Sequence, residues 1–251
     1  MRGTEKFHKI TKGELPVSKK ISTLAAGNLV KLNENGAAKK FIFLQHNHYG
    51  KGEVTLLRKD TAGFRAFAPG SSSYNVYNGA SLDDFCNVEF IGRLDPVIQA
   101  CLIAVPIPTI RGHVQGTWDA TVQTLQRRGF SLSCTEVGLS GAGTEGTKFN
   151  YFSSDANRIA YHDETTTAVY WWLRSSYSSD YNYAYFVSAD GSRSSGDRAS
   201  LADRCARPAL ALSSEILVSD SPDSSGCYTI EDAVIAGEQY QKVNGVWRRM
   251  C

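Results

Sequence analysis

The chain has 251 residues, with 27 Lys and Arg against 25 Asp and Glu, a formal net charge of +2, and 42% hydrophobic residues. That apolar share excludes a disordered chain, and the near-balanced charge gives no electrostatic case for nucleic acid. No apolar run approaches the roughly 18 residues of a membrane-spanning helix; the longest candidate, Ala100 to Ile107, is broken by Pro106.

Residues 1–26 are polar and read as an arm. They lack the apolar stretch of a secretion signal, so the chain is expected to fold in a cytoplasm. Asn28 to Asn33 and Lys40 to Gln45 read as strands around the turn signal Asn33-Glu34-Asn35-Gly36, and Glu53 to Lys59 is a third, giving an antiparallel meander. Ser81 is an N-cap candidate with Asp83 and Asp84 in the first turn, and Asp95-Pro96 opens a second short helix. A strand follows at Ala104 to Ile107, and residues 108–128 stay open between loop and helix. Phe130 to Val137 alternates like a strand, and the glycine-rich run from Gly138 to Gly146 reads as a surface loop.

Ala168 to Arg174, Ala184 to Ser188 and Arg207 to Leu212 read as a small antiparallel sheet, with a hairpin signal at Asp190-Gly191. Residues 213–226 read as a linker, and Tyr228 to Ile230 with Tyr240 to Arg248 as a terminal hairpin turned at Asn244-Gly245.

Six cysteines (86, 101, 134, 205, 227 and 251) lack metal-site spacing, so buried thiols are expected, with one late disulfide as the alternative. No GxSxG elbow is present. His46 and His48 alternate but have no third ligand nearby in sequence, and Asp83 and Asp84 are explained by capping. No catalytic residue and no transition metal is assigned.

Residues 177–200 are built almost wholly from Ser, Tyr, Asp, Arg, Gly, Ala and Asn, and contain no Lys, Glu, Gln, Met or Trp. Tyr gives rigid contact area and Ser, Gly and Asn give adaptable hydrogen bonding, the composition of a binding surface. The competing reading is an ordinary polar loop. Tyr177, Tyr181, Tyr183 and Tyr185 favour the surface reading.

Tyr170-Trp-Trp-Leu-Arg-Ser, Val187-Ser-Ala-Asp-Gly-Ser and Arg207-Pro-Ala-Leu-Ala-Leu together resemble the signature of the DUF6273 family, over roughly residues 27–215. Two blocks depart from it: Ser175-Ser176 replaces Ser-Pro, and Cys205-Ala206 replaces Gly-Val. The resemblance implies an α+β, C-type-lectin-like fold of the formylglycine-generating-enzyme type. That fold has small antiparallel sheets, two short helices and long polar loops over 27–215, followed by a linker and hairpin at 216–251. The same fold serves the variable proteins of diversity-generating retroelements in gut phages. Their adenine mutagenesis of AAC or AAT codons cannot yield the five residue types missing from 177–200.

The resemblance therefore implies a phage virion protein for receptor binding, made in the host cytoplasm. Its ligand face would comprise Tyr177, Ser178, Ser179, Asp180, Tyr181, Asn182, Tyr183, Ser192, Arg193, Ser194, Asp197 and Arg198. Trp171, Trp172, Arg174 and Arg207 would be structural, with one Trp in the core and the other nearer the ligand face. Expected partners are a host-cell protein or glycan, other virion proteins and copies of itself, as a trimer, with no nucleic acid and no membrane insertion. No cofactor is expected, although lectin-like loops often hold calcium with Asp and carbonyl oxygens. The alternatives are a virion structural or decoration protein without a ligand, and a degenerate formylglycine-generating-type enzyme.

Overall fold

The computed structural model describes residues 18–70, 75–192, 196–235, 238–243 and 246–250. After β1 (Ser18–Lys20), the strands β2 (Leu29–Glu34), β3 (Ala37–His46) and β4 (Glu53–Arg58) form the expected antiparallel meander. Asn35 and Gly36 both take positive φ, 52° and 79°, as the tight turn between right-twisted strands requires. Two very short helices follow, α1 (Ser81–Asp84) and α2 (Pro96–Ala100). Pro96 opens α2, where its missing N–H costs nothing.

The segment left open between loop and helix is a hairpin, β5 (Val105–Val114) and β6 (Thr117–Arg127). Next come β7 (Gly129–Phe130), β8 (Ala160–Tyr161), β9 (Ala168–Val169), β10 (Trp171–Ser176), β11 (Tyr183–Val187) and β12 (Asp197–Arg198). The chain ends in β13 (Ala209–Ser213), β14 (Leu217–Ser219), β15 (Cys227–Ile235), β16 (Glu238–Val243) and β17 (Val246–Arg249). Asn244 and Gly245, the expected turn, lie outside the described residues.

The expected α+β lectin-like layout of small antiparallel sheets is overturned. The described residues are mostly β, about 42% strand against 11% helix. One ten-stranded sheet runs β1-β14-β15-β2-β3-β4-β13-β7, with β16 and β17 continuing from β15. It is mixed, because β15 runs parallel to β2. The Arg207-Pro-Ala-Leu segment does not join β10 and β11. As β13 it pairs with β4, with Leu210 opposite Leu56. Both strands are buried along nearly their whole length, so apolar side chains on both faces set the partnership.

The predicted strand from Phe130 also ends early. Ser133 and Glu136 close a reciprocal turn: the Glu136 N–H donates to Ser133 Oγ at 3.1 Å, and the Ser133 N–H donates to the Glu136 carboxylate at 3.1 Å. This is the Ser-x-x-Glu box that competes locally with extended backbone.

Strands β10, β11 and β12 form a separate antiparallel sheet. Trp171 and Trp172 are both fully buried, against the expectation that one would approach the surface. Both faces of β10 are covered. Trp171 donates its indole N–H to the Arg158 carbonyl at 2.9 Å and stacks on the Arg207 guanidinium. Trp172 donates to the Arg65 carbonyl at 2.8 Å and packs edge-on against Phe67 and Phe186.

Candidate ligand-binding face

The loop from β10 to β11 is held by Asn75, which is completely buried. Its Nδ2 donates to the carbonyls of Tyr177 (2.8 Å), Asp180 (3.1 Å) and Tyr183 (2.7 Å). Its backbone N–H donates to the Tyr181 carbonyl at 2.9 Å, and its own carbonyl accepts from Ser176 Oγ. The loop closes on itself through Tyr177 N–H to the Tyr183 carbonyl and Tyr183 N–H to the Asp180 carbonyl, both 3.2 Å. These bonds engage loop main chain. Within the loop, Asp180 Oδ1 accepts from the Asn182 N–H at 2.9 Å.

The side chains of 177–183 are accordingly placed outward to varying degrees. Ser179 and Tyr181 are exposed, while Tyr177, Ser178, Asp180, Asn182 and Tyr183 are half-buried. Tyr177 packs near the Tyr183 and Tyr185 rings, with centroids 6.1 and 5.3 Å away. Tyr185 itself is buried.

The register brings some predicted residues to this loop and removes another. Tyr183 lies opposite Arg198 and Ala184 opposite Asp197, so exposed Arg198 borders the tyrosines. Asp197 is engaged by Arg204. Ser192 lies past the far end of β11, about 13 Å of strand from Tyr183. There it hydrogen-bonds Ser188, and its N–H donates to Asp190. The Ser188 hydroxyl, at 2.6 Å, and the Ser192 N–H pull the Asp190 carboxyl down to about 2. Arg193 and Ser194 lie outside the described residues.

Two neighbours from the β5–β6 hairpin were not found from the sequence. The His113 ring lies 6.5 Å from the Tyr181 ring and 5.1 Å from the Trp118 ring. The His113 N–H donates to Asn75 Oδ1 at 3.0 Å, so the same amide positions hairpin and loop. Burial lowers the His113 pKa, opposed by the Asp180 charge. The Gln115-Gly116 turn, with both residues at positive φ, carried the signal for the hairpin, but nothing local pointed to residues some 65 positions downstream.

Arg174 and Arg207 lie beneath the face. Arg174 is fully buried and grips the Glu136 carboxylate with two nitrogens, each at 2.6 Å, while also donating to the Ser131 and Pro108 carbonyls. Burial alone would lower its pKa; the Glu136 charge outweighs that and raises it. Arg207 donates to the carbonyls of Arg58, Arg158 and Lys59, among the described residues it has no carboxylate partner, and burial brings its pKa down to about 10. Outside this face, a cleft of about 360 Å³ is lined by Lys39, Lys40, Lys59, Asp163 and Glu164, but Asp163 already pairs with Lys39 and Arg58.

Among the described residues, the cysteines at 86, 101, 134, 205 and 227 are free and buried, and no group of three His, Cys, Asp or Glu is placed to hold a metal.

A family model described as a domain of unknown function, DUF6273, matches residues 51–214. The chain belongs to the DUF6273 family. The DUF6273 segment runs from just before β4 to β13 and includes Asn75, the β5–β6 hairpin and residues 177–198. Strands β2, β3, β14 and β15 complete the large sheet from outside it. Comparison with curated proteins and with solved structures found no match.

Proposed function

We propose that this DUF6273 protein is a binding protein whose ligand face is the 177–183 loop with Arg198, Trp118 and His113. The observation that supports this reading is the way Asn75 holds the loop. It bonds main-chain atoms, which every residue type supplies, so the loop can keep its shape while its side chains change. A buried clamp on backbone leaves Tyr181, Asp180 and their neighbours available for recognition, and Tyr is favoured at such sites for its area and low entropy loss.

The context we propose is a phage virion, where the face attaches to a host-cell protein or glycan. The residue types missing from 177–200 support diversification of the kind seen in retroelement variable proteins. The test is binding of the purified protein to a panel of intact gut bacteria, beside the triple variant Asp180→Ser, Tyr181→Ser, Tyr183→Ser. The variant should keep a cooperative melt and lose attachment. Retained attachment by the triple variant would refute the assignment of this face.

A further inference from the structure

Among the described residues, the outer strand of the β5–β6 hairpin has no strand partner on its open side. Pro108 and Ile110 show how the ladder is phased. The Pro108 carbonyl accepts from Arg174 at 3.0 Å and the Ile110 N–H donates to Glu145 at 2.8 Å, so both point away from β6. Antiparallel bonding alternates, so the rungs fall at Val105–Arg127, Ile107–Leu125 and Thr109–Gln123. On β6 the residues Val122, Thr124 and Gln126 then turn their N–H and C=O groups to the open side. Among the described residues, no bond outside the ladder engages the Val122 or Thr124 backbone, and the Gln126 carbonyl meets only the Arg127 side chain.

Sheet edges are normally guarded by charge, proline, brevity or cover. Strand β1 is three residues with two lysines, and β17 carries Arg248 and Arg249. Strands β7, β8, β9 and β12 have two residues each. Strand β6 has eleven residues, and from Ala120 to Gln126 it holds neither charge nor proline. Val122 is 48% exposed.

We propose that β6 pairs antiparallel with β6 of a second copy of this chain, about a two-fold axis at Gln123. This register sets Val122 opposite Thr124 of the other copy, both with backbone groups facing the edge. It also sets Asp119 opposite Arg127 at each end, so unlike charges meet twice and like charges never do. Asp119 and Arg127 keep part of their side chains exposed despite their contacts with Arg111 and Asp83. The strand is thus complementary to itself in backbone and charge, as an isologous interface requires. The two hairpins would merge into one four-stranded sheet and carry two tyrosine faces on one dimer, in place of the three-fold assembly the family resemblance led to.

The test is sedimentation equilibrium of the full chain at micromolar concentrations, expected to give a dimer. Thr124→Pro removes an N–H that points to the open edge and leaves the β5 rungs intact, so it should fold and weaken association at least about tenfold. The double variant Val122→Lys, Thr124→Lys places charge on the edge without touching any backbone donor and should do the same. Across a non-hydrogen-bonded pair Cα atoms lie about 4.5 Å apart, within disulfide range. In a Cys251→Ser background, Gln123→Cys should therefore oxidise to a covalent dimer, and Ala120→Cys should not. A monomer, a trimer, or a dimer indifferent to both edge variants overturns the proposal.

Discussion

The side-chain amide of Asn75 lies 2.7 Å from the carbonyl of Tyr183, across 108 residues of chain, and holds that residue by its backbone alone. Asn75→Ala would leave the Tyr177 carbonyl and the His113 N–H without the partner the amide supplies, and would take one of two donors from the Asp180 and Tyr183 carbonyls. Each buried group left unpaired costs about 1–3 kcal/mol. The variant should lower the urea midpoint and open residues 177–183 to proteolysis before the rest of the chain. Asn75→Asp should behave alike, because it removes the donor.

Arg174 and Glu136 are both fully buried and form two charged hydrogen bonds. Glu136→Leu alone should cost about 3–5 kcal/mol, since it leaves an uncompensated guanidinium in the core. Adding Arg174→Met should recover part of that loss. Chemical denaturation of the two single variants and the double variant measures the coupling.

Deleting the Trp172 ring should cost about 3–5 kcal/mol, the range for large aromatic truncations. The Trp171→Ala change should fall in the same range, because both indoles are wholly covered and both N–H groups have carbonyl partners. A loss below about 1 kcal/mol at either position would contradict a two-sided burial of β10.

Gly191 has φ +84°, and a Cβ added there would sit 2.0 Å from the Asp155 carbonyl oxygen. The Gly191 carbonyl also accepts from Arg158, so the turn cannot simply move away. Gly191→Ala should destabilise by roughly 1–3 kcal/mol. The control is Gly92→Ala, where a Cβ meets nothing and the thermal midpoint should barely shift.

His48 stacks on Phe149 with ring centroids 3.8 Å apart, and burial lowers its pKa from the ordinary 6.5. The unfolded chain therefore binds this proton more readily than the native one. The stability it contributes is fully present above pH 6.5 and is lost as pH falls through the lowered native value. Denaturation midpoints between pH 7.5 and 5 should show a decline that is shallower in His48→Gln.

Local chemistry in the sequence was enough for the elements whose partners are adjacent. The meander of β2, β3 and β4 follows from alternation plus Asn35-Gly36, and α2 follows from Asp95-Pro96, because each signal acts within a few residues. The aromatic strand and the tyrosine-rich composition of 177–183 were likewise visible in residue types alone. The signals at 133–136 and 105–127 were present but outweighed: alternation from Phe130 masked the Ser133–Glu136 box, and the prolines of β5 masked a hairpin.

What only the tertiary structure decided is who pairs with whom. β13 joins β4 rather than β10 because both strands are apolar and buried along nearly their whole length, and β15 lies parallel to β2 some 200 positions away, a pairing that no local signal encodes. The same holds for the loop at 177–183. Asn75 is one polar residue in a loop by sequence, and it acquires its role because folding brings it beneath four carbonyls where water cannot serve them. Residue types determined what could be displayed at 177–183; long-range burial determined what holds it there.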